Sequence, residues 1–375
     1  MLFLLDSYAR KSFDDIMKSS LEAITNSHLN DQAFRQASLP VKLGGLGVRC
    51  SEDISLSAFI ASSYKSIPIT EHLLSCDLSV PFDSLLSEAV SKWRAFDPLL
   101  TEPTIKVVQK NWDLPLAERR MKGLIECASS SPVSRSRLLA VSAPGAGVWL
   151  NAVPIPSLGL KLDNESLRIA VSLRLGIKLN RPYTCICGVS VDDSIVHGLD
   201  CRKVIGKHSR HSAVNEIIQR ALNAAGVPSH LEPVGLSRDD GKRPDGATLI
   251  PWKRGRCLVW DFTCVNTIAR SHLGLSTNEA GSLSVSAEER KKRKYATLSD
   301  NYSFTPIAIE TLGPWGPDAF SFIKELGRRL SLSTGDPRSG PFLKQKISIA
   351  IQRGNACCIS GSLPRSPDLS ECFYT

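Results

Sequence analysis

Two acidic residues, Asp245 and Asp261, stand sixteen positions apart, the first in Arg243-Pro244-Asp245 and the second within Cys257-Leu258-Val259-Trp260-Asp261-Phe262-Thr263. An acid among the apolar residues of a buried strand is costly unless something compensates it. A divalent cation shared by the two would do so, because Mg²⁺ is usually held by one or two carboxylates plus waters and substrate phosphate oxygens. The chemistry would be metal-assisted phosphodiester hydrolysis, in which the ion polarises the phosphate and lowers the pKa of an attacking water. The competing reading is that Asp245 only caps a turn beside Gly241 and Gly246, and that Asp261 pairs with a buried Arg. Side chains alternate along a strand, so Asp261 and Thr263 are predicted on one face and Trp260 and Phe262 on the other.

A second constellation lies upstream. Cys185-x-Cys187, nine residues, then His197-x₃-Cys201 offers three thiols and one imidazole, a donor set suited to tetrahedral Zn²⁺. A loop this small has little core of its own, so the metal would supply its folding energy. The single residue between the first two cysteines is tighter than the usual two to four, and the bland reading is two core thiols with an incidental histidine.

Charge is uneven. The net formal charge is +9, and residues 202–294 carry roughly twice as many Lys and Arg as Asp and Glu, a bias toward a polyanionic partner. The run Arg290-Lys291-Lys292-Arg293-Lys294 is a solvated helix face or a localisation signal, or, beside a nuclease site, a grip on phosphates. Phe13-Asp14-Asp15 and Val191-Asp192-Asp193 superficially match polymerase metal motifs, but the first lies in a helical pattern and the second inside the cysteine loop.

The elements that must position these residues follow from periodicity. Helical spacing runs from Asp6 to about Leu150, with a tight glycine turn in Leu39–Arg49 that lacks the Lys-Ser/Thr of a phosphate loop, and a boundary signal at Ala143–Gly147. One amphipathic helix is predicted over 160–180 and another from His211 to Ala225, with Arg210 and His211 near the edge of its apolar stripe and Glu216 opposite. Strands follow at His230–Leu236, Ala247–Trp252 and Cys257–Val265, then a charged helix at Ala287–Leu298, a strand at Phe304–Thr311, and helices at Phe320–Leu330 and Pro341–Asn355. The order is α-β-β-β-α-β, an α+β fold, followed by a Ser- and Pro-containing tail expected to be loose.

Eleven scattered cysteines without framework spacing point to a reducing compartment, and the first residues form neither a signal peptide nor a membrane span. A nuclear or cytoplasmic, non-secreted protein of two or three domains is expected, with no membrane and no small-molecule cofactor.

Leu39-Pro40 with Gly44-Gly45-Leu46-Gly47, the Cys-Cys-His-Cys set, Arg210-His211, Arg243-Pro244-Asp245, Asp261 and Lys291–Tyr295 occur in an order that resembles the C-terminal part of non-LTR retrotransposon reverse transcriptase proteins. In that family a thumb-like segment and a zinc knuckle precede a restriction-enzyme-like endonuclease of the PD-(D/E)XK fold. The resemblance spans most of residues 35–355. It implies a helical region over 1–150, a linker and CCHC knuckle over 151–207, a nuclease domain over 208–361 and a tail over 362–375. It further implies Zn²⁺ on Cys185, Cys187, His197 and Cys201, Mg²⁺ on Asp245 and Asp261, and partners that are target DNA and element RNA. His211 and Thr263 would lie in the active site, with Lys292 or Lys294 as the catalytic cation, and Arg210, Arg243, Arg290, Lys291 and Arg293 would contact nucleic acid. The nuclease would nick DNA to prime reverse transcription.

Three departures stand against this pattern. Thr263 occupies the position where restriction enzymes of the fold carry Lys, the knuckle spacing is shifted by about one residue at each interval, and the chain starts after the point where a polymerase palm would end. The rival expectation is a catalytically inactive, zinc-dependent nucleic-acid-binding module.

Overall fold

The computed structural model describes residues 7–74, 82–178, 182–191, 196–236, 243–298 and 300–363. Asp192-Asp193, Gly241 and the tail from 364 onward therefore lie outside the described residues. The fold is mixed α/β, mostly helical with a small mixed sheet. The chain divides into two compact units, with the main break after Ala128.

The first unit is helical: α1 (Ser7–Thr25), α2 (Asp31–Ala37), α3 (Ser51–Leu74), α4 (Phe82–Ala95) and α5 (Gln109–Cys127). Its core centres on Trp93 and Trp112, both fully buried and edge-to-face at 5.1 Å, with the Trp93 indole N–H donating to the Trp112 carbonyl. Asp14 has a structural task here. Its carboxylate accepts the backbone N–H groups of Ser51 and Glu52 at 2.7 and 3.1 Å, satisfying orphan donors at the start of α3.

The second unit begins with α6 (Pro132–Val141) and α7 (Asn164–Leu175). The helix predicted over 160–180 is shorter at both ends because Asp163 caps it through the Ser166 N–H and Gly176, at φ 71°, stops it. A two-stranded ribbon, β1 (Tyr183–Thr184) with β2 (Ser190–Val191), and the short α8 (His197–Asp200) carry the cysteine cluster. Then come α9 (Gly206–Ala224), β3 (Ser229–Leu231), β4 (Gly246–Lys253), β5 (Arg256–Val265), α10 (Leu273–Ser276), α11 (Ser282–Lys294), β6 (Ser303–Glu310), α12 (Pro317–Thr334) and α13 (Ser339–Ser360).

The sheet order is β3-β4-β5-β6, antiparallel except for the parallel β5–β6 pair, which α10 and α11 connect. The strand predicted over His230–Leu236 is cut to three residues. Glu232 and Gly235 take left-handed backbone, at φ 48° and 89°, which turns the chain out of the ladder. Along β5, Leu258, Trp260 and Phe262 join a core with Ile218, Leu222, Ile323, Leu326 and Ile347 of α9, α12 and α13. The opposite face packs Val265 and Ala308 on Leu283 and Ala287 of α11, so Asp261 faces α11. No helix among the described residues is long and apolar enough to cross a membrane.

Gly246 lies directly across from Trp260, where a Cβ would sit 2.0 Å from the indole ring. Gly246→Ala must therefore displace a fully buried Trp beside Asp245, and is expected to cost about 2–3 kcal/mol or more. Urea unfolding measures it; a loss below about 0.5 kcal/mol would contradict this packing.

Candidate active and metal centres

Asp245 sits at the entrance of β4, where its N–H donates to the Trp260 carbonyl and its own carbonyl accepts from Glu232. Its Oδ2 accepts the Phe262 N–H at 2.6 Å and approaches His211 Nε2 of α9 at 3.0 Å. The turn-capping alternative is thus replaced by a carboxylate tied to β5 and to a histidine. Asp261, 3 % exposed, receives the Lys291 ammonium of α11 on Oδ1. Its partner is a lysine rather than the buried arginine of the alternative reading.

Asn215 sets the orientation of His211. The Trp260 indole N–H can only donate, so at 3.0 Å it fixes Asn215 Oδ1 toward itself and turns the amide NH₂ to His211 Nδ1 at 3.3 Å. His211 Nδ1 is then the acceptor, and Nε2 carries the proton toward Asp245. The Asp245 hydrogen bond raises the His211 pKa above its ordinary value, against burial. Protonation must also swing the Asn215 amide away, which opposes that rise. Burial, reinforced by the Asp245 charge, pushes the Asp261 carboxyl above its ordinary value, and Lys291 and the Tyr295 hydroxyl pull it part of the way back.

The raised Asp261 pKa means the native state binds this proton more tightly than the unfolded chain. Its contribution to stability therefore falls as pH rises from the ordinary carboxylate value through the folded one. Lys291→Met removes the compensating cation and widens that window upward. The variant is expected to lose about 3–5 kcal/mol at pH 8 and to recover part of it by pH 5. Urea unfolding at both pH values checks this; a deficit independent of pH would refute the coupling.

The other predicted site residues separate. Lys292 is held by Asp318 at 2.7 Å and Glu289 at 3.0 Å, and Lys294 lies over the Tyr295 ring, so neither is the cation at the acids. Lys291 takes that place because residues 283, 287 and 291 are spaced four apart on the helix face that packs on the sheet. Arg210 is not at a nucleic-acid surface. It is buried against α13, where its guanidinium donates to Asn355 Oδ1 at 2.6 Å. Arg243 pairs with exposed Glu232, while its carbonyl accepts the Tyr295 hydroxyl. Arg290 and Arg293 are exposed on α11, and Thr263 is half-buried on β5.

The cysteine cluster assembles fully. Cys185, Cys187, His197 and Cys201 place their ligand atoms within 4.8 Å of one another. Cys185 Sγ lies 3.6 Å from Cys201 Sγ, and Cys187 Sγ lies 3.3 Å from His197 Nε2. Zn–S and Zn–N bonds of about 2.3 and 2.0 Å make tetrahedron edges of roughly 3.4–3.8 Å, close to both of these separations, so the four residues could hold Zn²⁺. The Cys185–Gly188 turn and the first turn of α8 supply the two halves, with the Cys201 N–H bonded to the His197 carbonyl. The Val189 N–H holds the Cys187 thiol down to about 7, whereas burial pushes Cys185 up to about 12.

Among the described residues no other group of three His, Cys, Asp or Glu is gathered this tightly. Asp245 and Asp261 are two carboxylates outside any such group.

A polar chain runs from Asp200, beside Cys201, to Arg210, beside His211 in sequence. Asn266 donates to Asp200 of α8 at 2.7 Å, Thr311 Oγ1 lies 3.3 Å from Asn266 Oδ1, Asn355 donates to the Thr311 carbonyl, and Arg210 donates to Asn355. Cys185 and Cys201 also share an apolar core with Leu312 and Ile359. No protein-family model and no curated protein matches this chain.

Proposed function

We propose that the second unit is a Mg²⁺-dependent DNA endonuclease joined to a zinc module. The observation that carries this reading is the convergence of His211, Asp245, Asp261 and Lys291 from α9, the β4 entrance, β5 and α11. Two acids beside a lysine, at the end of a mixed sheet with helix, three strands, helix, strand order, are the working parts of a PD-(D/E)XK nuclease, and the sequence resemblance to retroelement endonucleases supports the same assignment. Lys291 of α11 would then supply the cation that position 263, a Thr, does not.

Asp245 and Asp261 would hold the ion, which when bound polarises the phosphodiester and acidifies its water. Lys291, released from Asp261, would turn to the phosphate, while His211 and Asn215 keep Asp245 oriented. Exposed Arg290 and Arg293 would grip the flanking backbone. In a retroelement setting the nick would provide the primer for reverse transcription, with target DNA and element RNA as partners in the nucleus.

The full chain with supercoiled plasmid is expected to produce open circles only when Mg²⁺ is added. The second reading, an inactive binding module, is favoured by one observation: each acid already has an internal cation or donor. Salt-sensitive DNA binding with no Mg²⁺-dependent open circles would establish that module and remove the nuclease.

A further inference from the structure

The β4–β5 connection is a two-residue hairpin, Arg254-Gly255, flanked by Lys253 and Arg256, which are register partners across the strands. It breaks two local rules at once. Both turn residues have positive φ, 50° and 73°, the conformation of a type I′ turn that strongly favours Asn-Gly, yet the first is Arg. Like charges placed directly opposite each other are destabilising, yet Lys253 faces Arg256. All four residues are exposed.

Meanwhile the root of the hairpin is braced. Trp252 packs on Phe322, Arg329 stacks 3.7 Å over the Trp252 ring and donates to its carbonyl, and Thr248 Oγ1 accepts the Leu258 N–H. A braced stem thus carries three cations on an exposed turn.

We propose that this hairpin tip is a second contact for duplex DNA, holding backbone phosphates at a fixed offset from the acid pair. The offset rests on the endonuclease reading, whereas the binding itself does not. Arg256 lies five residues before Asp261 on β5, roughly 17 Å at about 3.4 Å per residue. At 3.4 Å per base pair that is on the order of five base pairs along a duplex running with the strand. Duplex DNA is favoured over an anionic membrane because β5 runs unbroken from the tip at Arg256 to Asp261.

The test is a full-chain variant, Lys253→Gln, Arg254→Asn and Arg256→Gln, in which Asn-Gly preserves the turn while the charge goes. Binding to a 30-base-pair duplex is followed by fluorescence anisotropy from about 50 to 300 mM salt without added Mg²⁺, and circular dichroism confirms the fold. Each phosphate contact contributes about 0.9 to the slope of log K against log salt. The variant is expected to flatten that slope by about 2–3 and to weaken binding on the order of 10- to 100-fold at 0.1 M salt. An unchanged slope, or a loss seen only on phosphatidylserine vesicles, overturns the proposal. Wild-type protein that binds with the hairpin-dependent slope yet never nicks plasmid leaves this contact standing and removes only the endonuclease reading.

Discussion

Asp261→Asn is expected to lower Mg²⁺-dependent plasmid nicking by at least about 10³-fold while leaving the thermal midpoint within a few degrees of wild type. The substitution keeps the side-chain volume at a position 3 % exposed, so packing between β5 and α11 is retained. It also removes a buried charge whose ionisation burial already disfavours, and the Lys291 ammonium left behind is 21 % exposed and can turn to solvent. On the endonuclease proposal, what disappears is an anionic ligand for the ion. Losing about 4 kcal/mol of transition-state stabilisation corresponds to a thousandfold in rate. Nicking within tenfold of wild type would place the chemistry elsewhere.

Cys201→Ser carries the largest expected effect on stability. Structural zinc contributes about 10–16 kcal/mol of apparent binding free energy in small zinc modules, comparable with the whole stability of a domain. Cys201 is both a ligand and a core residue beside Leu312 and Ile359, so the damage is not confined to the β1–β2 ribbon. The Asp200–Asn266–Thr311–Asn355–Arg210 chain extends it to α9, where His211 is mounted. Wild-type protein is expected to hold one zinc per chain by elemental analysis. The variant should hold less than about a fifth of that and lose the cooperative unfolding transition of the second unit. Cys127→Ser, at an exposed position, should change neither. Metal-free wild type, or a variant as stable as the control, would refute the zinc assignment.

The sequence made some of this legible and not the rest, for physical reasons. The cysteine set could be read from spacing alone because its ligands are close in the chain and a single histidine lies between Cys187 and Cys201. Period-two alternation puts Trp260 and Phe262 on one face and Asp261 on the other, and in the structure the first face is the core. The sequence points Lys291 to nucleic acid, and Lys292 or Lys294 to the acids, because a run of five basic residues hides which one faces inward. The buried positions Leu283 and Ala287 were the available signal, since a step of four from Ala287 gives Lys291.

Arg210 is buried rather than at a nucleic-acid surface for a related reason. A position at the edge of an apolar stripe is exposed on a lone helix, but α13 closes over α9 and buries it. Asn215 left no mark in the sequence, because its role depends on Trp260 approaching from a strand 45 residues away.

The measurement that bears most directly on the acid pair is Mn²⁺ binding to zinc-loaded full chain with duplex DNA present, followed by electron paramagnetic resonance. The centre described above predicts one site per chain that is lost in both Asp245→Asn and Asp261→Asn. Mn²⁺ uptake left unchanged by both substitutions would contradict it.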